Sequence, residues 1–340
     1  LVNQGSMAGL TQDTLATATT TNTGSISGPV DLDTGSITQT GATASMGATD
    51  VAAGTVLNAD DGTVGAVTTA GTTNIGNGDA IAAIADSLIV NGGVTTVNSD
   101  GGVTNTSTVA AGAQLDSTGA LGAVTNAGTL NVDAGTAGDI TNTNIANVDL
   151  GASAGAITNS GTFTNDGTVA SIADNSGGTF ANTGTVSGTS AVSGGVVTNT
   201  GVMSGATTIT AAGQVDSTGT MGDVTNGNVL NVNDGTAGAI TSTGTTTVGD
   251  GAGATATVAS LDVDGGVTTV GTDGTVTGLT DIAAAGQVDS SGTLGAVTNA
   301  GTLNVDAGTA GAITNSGTAN VDAGTSVGAV SNSGTLTADG

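Results

Sequence analysis

Two trios of aspartate are candidates for metal binding, because their members recur with the spacing of an internal repeat. They are Asp133, Asp149 and Asp166, and Asp306, Asp322 and Asp339. If each step is one coil of a repeat, each trio is a column of mutually repelling carboxylates about 5 Å apart. The chain has 0 Lys and Arg, so neutralising cations must come from solution. Carboxylate and turn carbonyl oxygens suit Ca²⁺, which makes these columns candidate Ca²⁺ sites. The alternative is that they are ordinary turn aspartates, solvated and screened by salt.

The rest of the residue inventory argues against catalysis. The chain has 0 His, 0 Cys, 0 Tyr and 0 Trp, and its 27 acidic residues are all Asp. Apart from Asp, the usual general bases, activated nucleophiles and oxyanion clamps are therefore missing from the sequence. A pair of carboxylates could hydrolyse a glycoside, but we expect the Asp residues to lie in recurring turns instead of at a unique place. We predict that the protein is not an enzyme.

The stretch 122–167 contains three copies of one motif, and this repeat must be interpreted before any single residue. The copies read GAVTNAGTLNVDAGTA, GDITNTNIANVDLGASA and GAITNSGTFTNDG. Their triplets of Val or Ile followed by Thr-Asn begin at Val124, Ile140 and Ile157. Branched apolar residues alternate with Thr, and the intervening Gly, Asn and Asp suit tight corners. The sequence therefore predicts an all-β fold, a parallel β-solenoid (β-helix) with coils of roughly 16–17 residues.

A longer tandem duplication supports this fold, since a stack of interchangeable coils accepts duplication more easily than a closed globule. Residues 122–138 return unchanged as 295–311. LIVNGGVTTV at 88–97 returns as LDVDGGVTTV at 261–270, with the same displacement along the chain.

The repeat pattern suggests two regions. We assign 61–340 to a repetitive β-solenoid in which 87–167 is duplicated as 260–340. Residues 1–60 are rich in Thr, Ala and Gly with a blurred period. We interpret them as irregular N-terminal rungs or as an assembly or cap segment.

One segment, 79–90, also has a helical interpretation. Asp79 is a candidate helix cap, and Ile81, Ile84 and Leu88 follow at near-helical spacing. Two Ala-rich solenoid strands are the alternative. We favour the strands, because no other segment has helical periodicity.

Asparagine recurs at the same steps as aspartate, and threonine is abundant. The asparagines are Asn126, Asn142 and Asn159, and in the duplicate Asn299, Asn315 and Asn332. They predict either a stacked amide ladder, as in cross-β assemblies, or turn residues that tolerate left-handed backbone. Thr-x-Thr pairs, which form ice-binding surfaces when they recur on successive coils, occur here but not once per coil.

The net charge of −27 limits the partners of the chain. Phosphate binding depends on Lys and Arg, so nucleic acid and anionic membrane surfaces are poor partners. No apolar run reaches about 18 residues, so no transmembrane helix is predicted. The sequence has no Cys for disulfides and no Lys or Arg for trypsin-like proteases. These features fit an extracellular or cell-surface location.

The runs ITNSGT at 157–162 and 313–318 resemble the repeat regions of bacterial autotransporter and haemagglutinin-like adhesin passengers. The resemblance covers about residues 87–340 and is one of repeat style. It implies an extracellular structural or adhesive role and no catalytic residues.

The end of the sequence bears on the expected function. The chain stops at Gly340 partway through the motif, without a polar cap, and an open terminal coil is an unpaired strand edge. We expect either a longer parent array or open ends through which copies stack head to tail as a homopolymeric filament. A filament strengthened by Ca²⁺ is the main hypothesis. A stalk segment of a bacterial surface adhesin is the alternative, and ice binding is a third. The sequence names no glycan or receptor.

Overall fold

Alternation of inward apolar and outward polar side chains builds the strands. In Thr129–Val132, Leu130 and Val132 are buried, whereas Thr129 and Asn131 are half-exposed. The computed structural model describes residues 1–13 and 15–339, which form strands, turns and bends and no helix. Thr14 lies outside the described residues, as does Gly340, where an uncapped end was expected. Strands pair in parallel with strands of neighbouring coils, which confirms the predicted all-β parallel β-solenoid.

Each coil has three sides, which we name A, B and C in the order of the chain. The coil that begins at Val124 shows them: Val124–Asn126 (side A), Thr129–Val132 (side B) and Thr136–Ala137 (side C). Each strand pairs in register with the strand of the same side in the next coil. Val124 pairs with Ile140, and Ile140 with Ile157. These are the positions at which the sequence motif recurs, so the predicted coil length is confirmed in this stretch.

Other coils are longer, and their extra residues lie in the corners. Thr72 pairs with Val94, a longer step along the chain than that from Val124 to Ile140. Within that coil, loop 76–82 separates the strands Thr72–Ile75 and Ala83–Ala85. The strands keep their length and register, so differences in coil length arise from differences in the length of the corners.

The chain divides into two compact units, residues 1–170 (unit 1) and residues 171–340 (unit 2). At about 17 residues per coil, each unit has about ten coils. The division after residue 60 was inferred from the repeat pattern alone and stays a prediction.

The strands of unit 1 follow the order B, C, A from the first one onward. Those of side A are Leu10–Gln12, Val30–Leu32, Thr49–Val51, Val67–Thr69, Leu88–Val90, Ser107–Val109, Val124–Asn126 and Ile140–Asn142. Those of side B are Val2–Asn3, Thr19–Asn22, Ser36–Gln39, Val56–Ala59, Thr72–Ile75, Val94–Val97, Gln114–Ser117, Thr129–Val132, Ile145–Val148 and Thr162–Asn165. Those of side C are Ser6–Met7, Ser25–Ile26, Ser45–Met46, Gly62–Val64, Ala83–Ala85, Gly101–Val103, Ala120–Leu121 and Thr136–Ala137. Ser153–Asn159 is one strand that continues from side C into side A.

Unit 2 has the same sides, with more strands that run through a corner. Those of side A are Val224–Asn226, Thr280–Ile282, Val297–Asn299, Ile313–Asn315 and Val330–Asn332. Those of side B are Val229–Val232, Thr245–Val248, Gly266–Val270, Gly286–Ser290, Thr302–Val305, Thr318–Val321 and Thr335–Ala338. Those of side C are Thr185–Val186, Val202–Met203, Thr220–Met221, Gly274–Val276, Thr293–Leu294, Thr309–Ala310 and Ser326–Val327. The long strands are Thr168–Asn182, which contains the division between the units, Ser190–Asn199, Thr207–Ser217, Thr236–Ser242 and Ala256–Val263.

The segment 79–90 forms strands, as favoured above, and not a helix. Ala83–Ala85 and Leu88–Val90 belong to sides C and A and pair with the coils before and after them. The Ala-rich composition fits because Ala83 and Ala85 are fully buried in a narrow interior.

Small branched residues fill the interior of each coil. Leu115 and Leu130 pair in register, and both have 0 % exposure. Phe163 and Phe180 are the largest fully buried side chains among the described residues. Such burial supplies about 25 cal/mol per Å² of apolar surface removed from water. The hydrophobic core of each unit is therefore a row of a few buried side chains per coil, and not a single central cluster.

Buried asparagines form the predicted amide ladder at the end of side A. The Nδ2 of Asn126 donates to Oδ1 of Asn142 at 2.7 Å, and Asn142 donates to Asn159 at 2.8 Å. In unit 2, Asn299 donates to Asn315 at 2.7 Å, and Asn315 to Asn332 at 2.7 Å. The ladder side chains also bond to corner backbone, as in the 3.0 Å bond from Asn142 to the carbonyl of Thr162. The asparagines thus supply hydrogen-bond partners both for one another and for the backbone carbonyls of the corner.

Replacing Asn142 by Ala should destabilise the fold by about 3 kcal/mol, because buried donors and acceptors on both neighbouring coils lose their partner. Asn147 is the matched control. It belongs to an amide column on the outer face of side B and donates to Asn131 at 2.8 Å, but it is half-exposed. Its replacement by Ala should cost less than about 1 kcal/mol, because water can replace the lost bond. Chemical denaturation of the two variants checks this, and equal losses would contradict a structural role for the buried ladder.

Candidate metal centre

A glycine-rich corner in unit 2 holds a carboxylate in a fixed position. After the strand Thr245–Val248, the chain enters a loop in which Gly249, Gly251 and Gly253 have φ values of 77°, 79° and 108°. Glycine adopts this left-handed region without strain, and successive amides in such loops form anion-binding concavities. The carboxylate of Asp273, from the next coil, accepts the amides of Gly251 at 2.9 Å and Gly253 at 3.1 Å. These bonds favour the ionised form and lower the pKa of Asp273 below its ordinary value of 3.8.

Three consecutive coils bring three carboxylates together at this corner. Asp234, Asp250 and Asp273 each offer an oxygen atom, and these atoms lie within 4.8 Å of one another. The strands that precede them, Val229–Val232, Thr245–Val248 and Gly266–Val270, pair in register on side B. Asp234 and Asp250 are exposed and Asp273 is half-exposed. A cluster of three such groups could bind a metal ion, with hard cations preferred because all the ligands are oxygen.

Side-chain crowding explains why the loop needs glycine at its first position. A Cβ atom at Gly249 would collide with Oδ1 of Asp273 and with the amide nitrogen of Gly274. Asp250 caps the same loop, because its Oδ1 accepts the amide of Ala252 at 2.8 Å. The corner is therefore organised by its own backbone amides and glycines.

Sequence reasoning missed this trio, although a signal for it was present. The tandem duplication extends further toward the N terminus than residue 87, since VLNADDGTVGAVTTAGTTNIGNG at 56–78 matches VLNVNDGTAGAITSTGTTTVGDG at 229–251. Strand pairing repeats too: Val56 pairs with Thr72, as Val229 pairs with Thr245.

The equivalent corner of unit 1 has the same loop but a different set of acids. Asp61, Asn77 and Asp100 correspond to Asp234, Asp250 and Asp273, so an amide replaces the middle carboxylate. Asp100 accepts the amide of Gly78 at 2.8 Å. Burial raises the pKa of Asp100, but its backbone hydrogen bonds outweigh that effect and the pKa is lowered. Asp61 is 6 % exposed, and its Oδ2 accepts the amide of Gly41 at 2.7 Å.

The predicted columns occupy the corner after side B, as the trio does, but in other coils. Asp133 and Asp149 directly follow Val132 and Val148, which pair in register, and Asp166 follows Asn165, which pairs with Val148. Asp306, Asp322 and Asp339 are placed in the same way after Val305, Val321 and Ala338. None of the six belongs to the group Asp234, Asp250 and Asp273. Their role as Ca²⁺ ligands stays a prediction.

In each column one aspartate has a raised pKa, as expected for a partly buried carboxylate with like charges beside it. Burial, followed by repulsion from Asp149 and Asp116, raises the pKa of Asp133. Burial, followed by repulsion from Asp322 and Asp289, raises the pKa of Asp306 in the duplicate. Ionised Asp133 and Asp306 therefore weaken the folded state, whereas the hydrogen-bonded Asp273 strengthens it.

Other aspartates are compensated by amide side chains instead of cations. Nε2 of Gln114 donates to both oxygens of Asp116 at 2.9 and 2.8 Å, and Nδ2 of Asn131 donates to Asp116 Oδ1 at 2.6 Å. The same arrangement recurs twice in unit 2, in Gln214, Asp216 and Asn231, and in Gln287, Asp289 and Asn304. Uncharged donors thus serve as the local partners of these carboxylates.

Comparison with known proteins gives no match at the level of protein families, characterised proteins or solved structures. Among the described residues, no helix combines the length and the hydropathy of a membrane span.

The two classes of aspartate should titrate on opposite sides of 3.8. The pKa of Asp273 and Asp100 is lowered, so their stabilisation is complete above 3.8 and is lost as the pH falls through the lowered values. The pKa of Asp133 and Asp306 is raised, so protonation removes the cost of burying an ionised carboxylate and the repulsion from its neighbours. The folded state is therefore stabilised as the pH falls through the raised values. Carboxyl-carbon NMR titration measures both. Midpoints in the reverse order would contradict the assigned hydrogen bonds.

Proposed function

We propose that the chain is a structural protein of a cell surface or extracellular matrix, and that its coils stack on coils of a second copy to form filaments. The observation that carries the proposal is that coils are interchangeable. Strands of neighbouring coils pair in parallel with the same side of the next coil, as Thr318–Val321 does with Thr335–Ala338. A coil edge is therefore a template for another coil of this type.

The edge near the C terminus of the described residues illustrates the surface involved. Val330 and Leu336 are 37 % and 39 % exposed, whereas their partners one coil earlier, Ile313 and Ala319, are 1 % and 0 % exposed. Where no further coil of the same polypeptide covers these side chains, a second copy buries them by parallel pairing. Such a contact joins two different surfaces, so it repeats without closing and produces a filament.

The composition supports a location outside the cell. The chain has no Lys or Arg for trypsin-like proteases, no Cys that requires a redox environment, and a charge of −27 that keeps it soluble. The protein itself is the partner in this proposal, and neither nucleic acid nor a membrane is involved.

Ca²⁺ is proposed as the stabilising ion of the filament. Asp234, Asp250 and Asp273 supply the group that can hold a metal, and the two predicted columns supply the like charges that a divalent cation would relieve. Because Asp234 and Asp250 are exposed, we expect an affinity in the range of extracellular calcium modules, with a Kd of about 10⁻⁴–10⁻³ M.

Negative-stain microscopy should show filaments of the purified chain whose number grows with protein concentration. Leu336→Asp should abolish them, because it places a charge on the edge that the second copy must bury. Thr337→Asp is the matched control, since the neighbouring side chain lies on the outer face of the strand and should leave filaments intact. Particles of single-chain size under all conditions would reject self-assembly and favour the stalk of a surface adhesin.

The metal is tested in the same samples. Filaments that form with millimolar Ca²⁺ and dissolve in EDTA support both parts of the proposal, whereas filaments indifferent to EDTA keep the assembly and reject the calcium. Calorimetric binding of Ca²⁺ should weaken in Asp250→Asn, which gives unit 2 the residue present at Asn77 in unit 1. An unchanged affinity would exclude the trio as the binding site.

Ice binding is a second candidate, favoured by one feature of unit 2. Thr-x-Thr pairs do not recur once per coil, but single threonines on side C do. They pair in register on six consecutive coils and are exposed or half-exposed: Thr220, Thr236, Thr257, Thr275, Thr293 and Thr309. The strand spacing of about 4.8 Å makes this a regular array of hydroxyl and methyl groups, suited to ordering water.

Thermal hysteresis measures this candidate directly. If the column binds ice, the wild-type chain should show hysteresis, and Thr257→Lys with Thr275→Lys should remove it by interrupting the middle of the array. Thr245→Lys, at an exposed position on side B, controls for added charge. Absence of hysteresis in the wild type would reject the candidate.

A further inference from the structure

Three asparagines of the chain are followed by glycine, and their surroundings differ. The dipeptides are Asn77-Gly78, Asn91-Gly92 and Asn226-Gly227. In such a pair the backbone nitrogen of glycine can reach the asparagine Cγ, because glycine has no Cβ to hinder the approach. Nitrogen–carbon bond formation expels ammonia and closes a succinimide, which water then opens to aspartate or isoaspartate. The requirements are a glycine amide and an asparagine side chain that no hydrogen bond holds in place.

Asn226 meets neither requirement. It is 1 % exposed within the amide ladder, and its Nδ2 donates to the carbonyl of Thr245 at 2.8 Å. Its Oδ1 accepts the amide of Asn228 at 3.0 Å. The attacking group is held as well, because the amide of Gly227 donates to the carbonyl of Ile209 at 2.8 Å.

Asn91 meets both. It is exposed in the bend between Leu88–Val90 and Val94–Val97. Its own backbone amide donates to the carbonyl of Thr69 at 2.7 Å. Among the described residues, its side chain and the amide of Gly92 have no hydrogen-bond partner.

Unit 2 shows that a carboxylate fits at this corner. Asp264-Gly265 occupies in the duplicate the place that Asn91-Gly92 occupies in unit 1. The backbone is held alike, since the amide of Asp264 donates to the carbonyl of Ser242 at 2.9 Å. Conversion of Asn91 to aspartate therefore gives unit 1 a residue that the fold already carries.

We propose that Asn91-Gly92 is a site of spontaneous deamidation, which adds a negative charge to unit 1. The amide of Gly92 loses its proton to hydroxide, and its nitrogen attacks Cγ of Asn91. The side-chain nitrogen takes a proton from water, which regenerates hydroxide, and leaves as ammonia. A second water molecule then opens the ring. Asn77 reacts more slowly, because its Oδ1 accepts the amide of Asp79 at 3.0 Å and the amide of Gly78 is bound to Asp100 at 2.8 Å.

The test is incubation of the folded chain at mildly alkaline pH, followed by elastase digestion and mass spectrometry, since trypsin has no site. Asn91 should convert more than about tenfold faster than Asn226, which reacts only after local opening, with Asn77 between them. In denaturant the three rates should become similar. Equal rates for Asn91 and Asn226 in the folded chain would overturn the proposal.

Gly92→Ala supplies a variant that should fold. A Cβ at Gly92 would lie 3.6 Å from the carbonyl oxygen of Ala70, an ordinary contact, and Gly92 does not have a positive φ. The added methyl hinders ring closure, so conversion of Asn91 should slow about tenfold or more. An unchanged rate in a variant with wild-type circular dichroism would also overturn the proposal.

Discussion

In a parallel in-register stack, each side chain has the equivalent residue of the next coil as its neighbour, and the rest of this structure depends on that constraint. This arrangement favours residue types whose side chains interact favourably with an identical side chain. Leu115 over Leu130 gains apolar contact, and Asn126 over Asn142 gains a hydrogen bond because an amide carries both donor and acceptor. An ionised carboxylate gains nothing from its own kind, and the chain has no Lys or Arg to separate two of them.

The aspartates of the chain show two solutions to that problem and one environment that has neither. Asp116 accepts amide hydrogen bonds from Gln114 on its own strand and from Asn131 on the next coil. Asp273 turns into a loop of backbone amides built by left-handed glycines. Asp133 has neither arrangement, and its pKa is raised by burial and by the carboxylates of the adjacent coils. Aspartates in the same stack therefore differ in their hydrogen-bond partners and in how favourable their ionised form is.

Periodic features could be predicted from the sequence, and features of single corners could not. The parallel solenoid, the length of its coils around Ile140 and the Asn126 ladder follow from residues that recur at fixed spacing. Asp250 and Asp273 lie further apart along the chain than Asp234 and Asp250 do, so no single period connects the trio. Its assembly depends on a long corner, the loop that begins at Gly249, in which left-handed glycines reverse the backbone. Only comparison of 56–78 with 229–251 could have marked that corner, and it would not have revealed that Asp61 turns toward Gly41.

The amide columns also give each unit an electrical direction along its stack of coils. In the buried ladder the donor belongs to the earlier coil, as in Asn126 to Asn142 and Asn299 to Asn315. On the outer face of side B the order is reversed, because Asn147 donates to Asn131 and Asn320 to Asn304. The side-chain dipoles of the two columns are therefore antiparallel and partly cancel, which lets each column lengthen without building up a large net moment. A coil added in the reverse sense would face donor with donor in one column and acceptor with acceptor in the other, so growth of the stack is inherently polar.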